Sequence, residues 1–138
     1  MNQMQISSPT IHDIEDFANI FEDFCQQYFS KMSMGGYSFS LSMFEPHTKC
    51  VYNGEQLNNP YNLLLKIASQ GVHHFNYHSI NCTCLSTTNG FLVNSVSLLN
   101  PISFDGYLGN IVWASETFNI KTINGKSYIC DYILKNFY

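Results

Sequence analysis

The sequence predicts an α+β fold in which three N-terminal helices pack in a curved, mostly antiparallel sheet. Helical patterns occupy the first half of the chain, and patterns of period two, typical of strands, begin at Val72 and continue almost to the last residue. Between them, residues 48–69 predict a strand, the tight turn Asn53-Gly54, a return strand and a helix with Pro60 at its first position. This order of elements is typical of a cone whose sheet wraps around the first helix.

The first predicted helix has one broad apolar face, because apolar side chains recur at helical spacing from residue 11 to residue 29. A short second helix is expected over residues 37–44, ending before Pro46, and a third from Asn59 to about Ser69. Residues 1–10 show no period and predict a flexible arm, followed by a single domain over residues 11–138.

Four long strands are predicted over residues 72–85, 90–99, 110–123 and 127–137. The last two are joined by Asn124-Gly125, a second strong signal for a two-residue hairpin. The strands over residues 90–99 and 110–123 are joined by a longer loop that contains Phe104-Asp105-Gly106.

The composition predicts a protein-binding surface and disfavours nucleic acid. Charged residues make up only 12% of the chain and aromatic residues 15%, so polar groups are too few to cover the surface of a small domain. The net charge is −4 and the six basic residues are scattered, whereas direct binding of DNA or RNA needs clustered cations.

The five cysteines fit no metal or redox motif and are expected to be reduced and mostly buried, and no cofactor is indicated. No signal peptide or membrane-spanning run is apparent, so we expect a soluble, intracellular chain with no membrane partner. His73, His74 and His78 lie close in sequence, and His74 and His78 share one face of the predicted strand, but no third ligand accompanies this pair at a helpful spacing. We therefore expect no metal site.

The strand that contains the only tryptophan predicts an interface. If Phe118 and Ile120 point into the cone, Trp113, Ser115, Thr117 and Asn119 line the outer face of the sheet. The alternative is that Trp113 points inward, because residues 111–114 do not alternate cleanly. We assign the partner interface to Trp113, Ser115, Thr117, Ile129, Asp131, Asn81 and His78.

With these elements in place, the chain resembles the nuclear transport factor 2-like superfamily over about residues 11–137. The resemblance is carried by the Tyr52-Asn53-Gly54 hairpin, the strand 75–82, the strand 113–118 and the closing strand 128–133. Within the superfamily the chain is similar to the small subunit of the mRNA export receptor. That subunit has Asn after the aromatic residue of the hairpin, as this chain does, whereas the importer of Ran-GDP has Glu there. The export subunit also tends to have Phe-acid-Gly in the loop before its second-last strand, which matches Phe104-Asp105-Gly106. Taken alone, however, Asn-Gly is what any hairpin of this type prefers.

The resemblance implies a non-catalytic adaptor that forms a heterodimer with the related domain of the large mRNA export receptor subunit and so supports nucleoporin docking indirectly. It further implies shuttling between the nucleus, the nuclear pore and the cytoplasm, with Tyr52, Asn53, Phe104 and Asp105 as a possible transport-partner loop. The export subunit usually has Asp where this chain has Asn81, so the ion pair expected there with the partner is absent or built differently. A homodimeric importer of Ran-GDP is the alternative.

A third possibility is an isomerase- or dehydratase-like enzyme, because the same cone hosts acid–base chemistry in its cavity. Five acids are available for such chemistry, namely Glu45, Glu55, Asp105, Glu116 and Asp131. From the sequence, none of these acids can be placed in one pocket with a His or a Tyr. We therefore expect no catalytic residues.

Overall fold

The structure, a computed structural model, describes the backbone of residues 11–137 and the side chains of residues 18–136. The arm expected at residues 1–10 lies outside the described residues. The helices are α1 (Ile11–Gly35), α2 (Tyr37–Ser40), a 3-10 turn (Leu41–Met43) and α3 (Pro60–Ser69). The strands are β1 (Phe44–Tyr52), β2 (Glu55–Leu57), β3 (Val72–Thr87), β4 (Gly90–Ser103), β5 (Val112–Ile123) and β6 (Lys126–Phe137).

All six strands form one sheet in the order β2-β1-β6-β5-β4-β3. Only the β1–β6 pair is parallel, and the other four pairs are antiparallel. The predicted α+β cone with a mostly antiparallel sheet is therefore confirmed. The two predicted hairpin turns are also present, with Asn53 at φ 48° and Asn124 at φ 52°, the left-handed conformation that such turns need.

The third helix begins as its sequence predicts. The side chain of Asn59 accepts a hydrogen bond of 2.8 Å from the backbone N–H of Asn62, and Pro60 occupies the first position, where its missing N–H has no cost. The second helix differs from the prediction, because it ends at Ser40 and a strand starts at Phe44. Pro46 lies inside that strand, where the pairing with β6 is irregular between Phe44 and Lys49, so no ladder hydrogen bond is lost.

The core lies between α1 and the concave face of the sheet and is unusually aromatic. The ring of Phe24 packs edge-on against Phe91 and Phe118, at centroid distances of 5.8 and 5.9 Å. All five cysteines are free, and four are buried: Cys25, Cys50, Cys82 and Cys84. Burial raises the pKa of the Cys84 thiol to about 12, so it packs as a neutral group.

Ile129 corrects one assignment made from the sequence. It was expected on the outer face, but it is fully buried in the core. The reason is a register shift in the β5–β6 pair: Asn119 pairs with Asp131 and Ile120 pairs with Ile129, which leaves Cys130 as an extra residue. A bulge of this kind reverses the alternation of side chains, so a strict period of two places Ile129 on the wrong face.

Among the described residues, no helix is both long and apolar enough to cross a membrane.

Candidate functional site

The outer face of the sheet carries exposed apolar side chains, of which Trp113 is the largest. Ala114, Glu116, Phe118 and Ile120 are buried inside the cone, whereas Trp113 keeps 47% of its surface exposed. The predicted outward direction of Trp113 is therefore confirmed, and the alternative that it points into the core is wrong.

Strand pairing brings further apolar side chains to the same face, all of them exposed except Leu98, which is half-buried. Leu85 pairs with Leu92 across β3 and β4, Leu98 pairs with Trp113 across β4 and β5, and Thr117 pairs with Ile133 across β5 and β6. We call this set the outer patch: Leu85, Leu92, Val96, Leu98, Trp113 and Ile133. Several exposed apolar side chains on one face of a soluble domain are typical of an interaction site.

Polar groups, most of them neutral, separate the members of the outer patch. The hydroxyl of Thr117 donates a hydrogen bond of 3.0 Å to Asn94, and the amide of Asn119 donates one of 2.9 Å to Asp131. Ser115 lies between Val96 and Lys135 in the pairing. A mixture of apolar and neutral polar side chains with few charges is typical of the centre of a protein–protein interface.

The remaining predicted interface residues lie along β3. Asn81 is exposed and pairs with Val96, so it lies next to the outer patch. His78 is hydrogen-bonded to Asn100 and occupies an irregularity in the β3–β4 pairing. Both line one shallow cavity of about 320 Å³ on β3. His73 contacts His74 instead, with 2.9 Å between their Nδ1 atoms, and no group of three metal-ligating side chains occurs in the described part of the chain.

Of the four residues assigned to a transport-partner loop, only Tyr52 and Phe104 line cavities, and these are two neighbouring cavities. Tyr52 lines a cavity of about 320 Å³, and Phe104 lines another of about 250 Å³ with His73. Ile67 and Val72 contribute to both cavities. Asp105 follows Phe104 in the exposed turn.

Asn53 makes a hydrogen bond that its sequence motif did not reveal. Its side-chain oxygen accepts a hydrogen bond of 2.8 Å from the backbone N–H of Asn136, and its own N–H donates to the carbonyl of Leu134 at 2.9 Å. The residue thus ties the β1–β2 turn to β6. This contact gives Asn53 a structural role, which explains the Asn-Gly motif more simply than contact with a transport partner does.

A second site lies in the centre of the cone, where sequence reasoning expected nothing. The carboxyl group of Glu116 on β5 is buried and receives three tyrosine hydroxyls. Tyr28 from α1 donates at 2.5 Å, Tyr132 from β6 at 2.5 Å and Tyr77 from β3 at 2.8 Å. The hydroxyls of Tyr37 and Tyr132 are 2.6 Å apart, which extends the network to α2. We call these five residues the Glu116 cluster.

Burial dominates the electrostatics of the Glu116 cluster. Removal from water raises the pKa of Glu116 above its usual 4.5, although the hydrogen bonds from Tyr132, Tyr28 and Tyr77 act in the opposite direction. Burial and the neighbouring Glu116 charge raise the pKa of Tyr28 and Tyr132 well above 10. The tyrosines therefore remain hydrogen-bond donors throughout the physiological range.

One sequence signal could have located this site. Glu116 stands at an inward position of β5, in phase with Phe118 and Ile120, and a buried acid needs hydrogen-bond partners. Its partners could not be read from the sequence, because Tyr28, Tyr77 and Tyr132 are separated from Glu116 by 88, 39 and 16 residues.

No protein-family model matches this chain, and no curated protein matches its sequence. Solved structures do share its fold. Nuclear transport factor 2 from Cryptosporidium parvum superposes with a TM-score of 0.67 at 17% identity, over 88% of this chain and 95% of that chain. A protein assigned as a dehydratase of the nuclear transport factor 2-like family from Streptomyces avermitilis superposes with a TM-score of 0.70 at 10% identity, over 90% of this chain and 99% of that chain. A protein assigned as a scytalone dehydratase from Novosphingobium aromaticivorans superposes with a TM-score of 0.65 at 12% identity, over 88% of this chain and 84% of that chain.

These comparisons define the fold as the nuclear transport factor 2-like cone. The same fold serves nuclear transport factor 2 and dehydratase-like proteins, so the likeness establishes the architecture and leaves the activity open.

Proposed function

We propose that this chain is a non-catalytic adaptor that pairs, through the outer patch, with a second domain of the nuclear transport factor 2-like fold. The observation that carries the proposal is the exposure of Trp113 beside Leu98 on the outer face of the sheet, whose inner face packs on the core. A large exposed aromatic side chain on such a face is the kind of anchor that contributes most to binding.

The partner proposed is the related domain of a large mRNA export receptor subunit, and the role is support of nuclear mRNA export through the nuclear pore. The Tyr52-Asn53-Gly54 and Phe104-Asp105-Gly106 motifs resemble those of the small export receptor subunit, and this resemblance supports the choice. The fold shared with nuclear transport factor 2 also supports it. Shuttling between nucleus and cytoplasm, with indirect contact to nucleoporins, belongs to the same proposal.

The test is co-expression of the chain with that receptor domain, followed by sedimentation of the purified material. We expect a stable one-to-one complex, and we expect the chain alone to be poorly soluble or to self-associate because its outer patch is exposed to water. A dilute, well-behaved monomer that forms no complex would overturn the proposal. A stable homodimer would instead favour an importer of Ran-GDP.

The importer alternative has its own direct test. Calorimetry with Ran-GDP should show weak or no binding, since Asn53 offers a neutral side chain and its oxygen is already bonded to the Asn136 backbone. Micromolar binding to Ran-GDP would make the importer the better assignment.

The Glu116 cluster supports an enzyme as a second candidate. A carboxyl group with raised pKa beside tyrosine hydroxyls has the chemistry of a general acid or a hydrogen-bond donor to a developing oxyanion. Against it, Glu116 is 1% exposed and Tyr28 and Tyr132 are fully buried, so a substrate would have to open the cone. If phenols or enol analogues shift the NMR signals of Tyr28 and Tyr132, and this effect is lost in Glu116→Gln, the enzyme becomes the better assignment.

A further inference from the structure

A cavity of about 370 Å³ opens between α1, the 3-10 turn and the β5–β6 hairpin. Its described lining includes no member of the outer patch and none of the Glu116 cluster. The cavity is therefore separate from both sites considered above, and its volume lies in the range of pockets that hold small organic molecules.

Two lysines contribute to the lining, Lys31 from α1 and Lys126 from the hairpin. The chain has only six basic residues and a net charge of −4, so two cations at one cavity run against its overall charge. Within the described residues, neither ammonium group has a carboxylate at salt-bridge distance, whereas Lys66 is paired with Glu55 at 3.0 Å. The ammonium group of Lys126 lies over the ring of Tyr128, 5.3 Å from its centroid.

Hydroxyl groups lie beside these cations. Ser42, Thr122 and Ser127 line the cavity, and the hydroxyl oxygens of Thr122 and Ser127 are 3.3 Å apart. Ammonium and hydroxyl donors from three separate elements are the groups that recognise phosphate oxygens.

The rest of the lining suits an organic body attached to that phosphate. Phe24 and Met43 form an apolar floor. Asp23, whose carboxylate accepts a hydrogen bond of 3.0 Å from Gln27, adds an acceptor that suits hydroxyl groups. The volume far exceeds the share of about 30 Å³ that one water takes in the liquid, so a bare ion would leave most of the cavity unfilled.

We propose that this cavity binds the phosphate monoester of a small hydroxylated organic molecule. Lys31 and Lys126 bind the phosphate, and Phe24 and Met43 contact the body of the ligand. The site would give the chain a ligand-binding function independent of its partner.

The test is a titration of the full chain with ribose 5-phosphate, followed by NMR of the backbone amides. We expect shifts in α1 near residues 23–31 and in the hairpin near residues 122–127, with affinity that falls as salt is raised. Lys31→Gln and Lys126→Gln should each weaken binding by about tenfold, the loss typical of one charge-assisted hydrogen bond. Lys49→Gln is the matched control, because Lys49 is exposed on β1 and does not line the cavity.

Three outcomes would overturn the proposal: no shift with ribose 5-phosphate up to about 10 mM, equal binding of ribose itself, or equal weakening by Lys49→Gln. All three lysines are at least partly exposed, so the variants should fold, and an unchanged thermal melt would verify this. Because the outer patch does not contribute to the cavity, failure here would leave the adaptor proposal unaffected.

Discussion

The hydroxyl of Tyr28 donates a 2.5 Å hydrogen bond to the carboxyl group of Glu116, although the two residues are 88 positions apart in the chain. The bond joins the first helix to the centre of the sheet. Because both groups are almost fully excluded from water, their hydrogen bonds cannot be replaced by solvent when one partner is removed.

Replacement of Glu116 by Leu should strongly destabilise the fold. It would leave the hydroxyls of Tyr28, Tyr77 and Tyr132 without their acceptor, and each buried unsatisfied group costs about 1–3 kcal/mol. We expect a loss of about 3 kcal/mol or more in the free energy of unfolding, measured in urea. Glu116→Gln keeps an acceptor oxygen and should cost clearly less. Equal losses in the two variants would contradict the role assigned to these hydrogen bonds.

The stability of the chain should depend on pH through Glu116. Its pKa in the folded chain is raised above 4.5, so the folded chain keeps the proton over a range in which the unfolded chain releases it. The contribution of the neutral carboxyl group is therefore fully present below about pH 4.5 and is lost as pH rises through the folded pKa. Glu116→Gln cannot titrate, so the difference in unfolding free energy between the two proteins should change from about pH 4.5 up to the folded pKa and level off above it. Parallel pH profiles would show that the pKa is not raised.

Trp113→Asp should abolish formation of the proposed complex and leave the fold intact. Trp113 is exposed in the isolated chain, whereas a charge placed there would be buried without a partner in the complex. We expect a cooperative melt close to that of the wild type, with a loss of binding of about 2 kcal/mol or more. Leu65→Asp is the matched control, because Leu65 is also 47% exposed but lies on α3. Normal complex formation by a folded Trp113→Asp variant would show that the interface does not include Trp113.

Asn53→Ala should reduce stability by about 1–3 kcal/mol. The change removes the acceptor for the Asn136 backbone N–H and places Ala at φ 48°, a conformation that costs an ordinary residue about 1–2 kcal/mol. Asn53→Asp keeps the acceptor and should cost less. Thermal melts of the two variants measure the contribution of the side-chain oxygen, and identical melts would show that this hydrogen bond contributes little.

Gly36→Ala should be more destabilising than Gly54→Ala. Both glycines have positive φ, 61° and 86°, so both substitutions carry the same kind of backbone strain. A Cβ at Gly36 would also lie 2.3 Å from the carbonyl oxygen of His73, whereas Gly54 has open space around it. We expect the difference to reach about 2 kcal/mol in chemical denaturation. Similar losses would mean that the backbone around Gly36 can relax.

The sequence by itself determined the elements and most of their limits, because these depend on local physics. The Asn-Gly turns at Asn53 and Asn124 and the Asn59-Pro60 helix start are short-range signals, and the structure places each where it was expected. The alternation of side chains along β5 favoured Trp113 outside the cone and Phe118 inside it, but the inward alternative for Trp113 was excluded only by the burial seen in the structure.

Tertiary structure decided what depends on groups that are distant in sequence. Cys130 shifts the register of β6 and so buries Ile129, and no local pattern marks such a bulge. The Glu116 cluster forms only when α1, β3 and β6 converge on β5, because hydrogen bonds between buried side chains follow the packing of elements and not the spacing of residues.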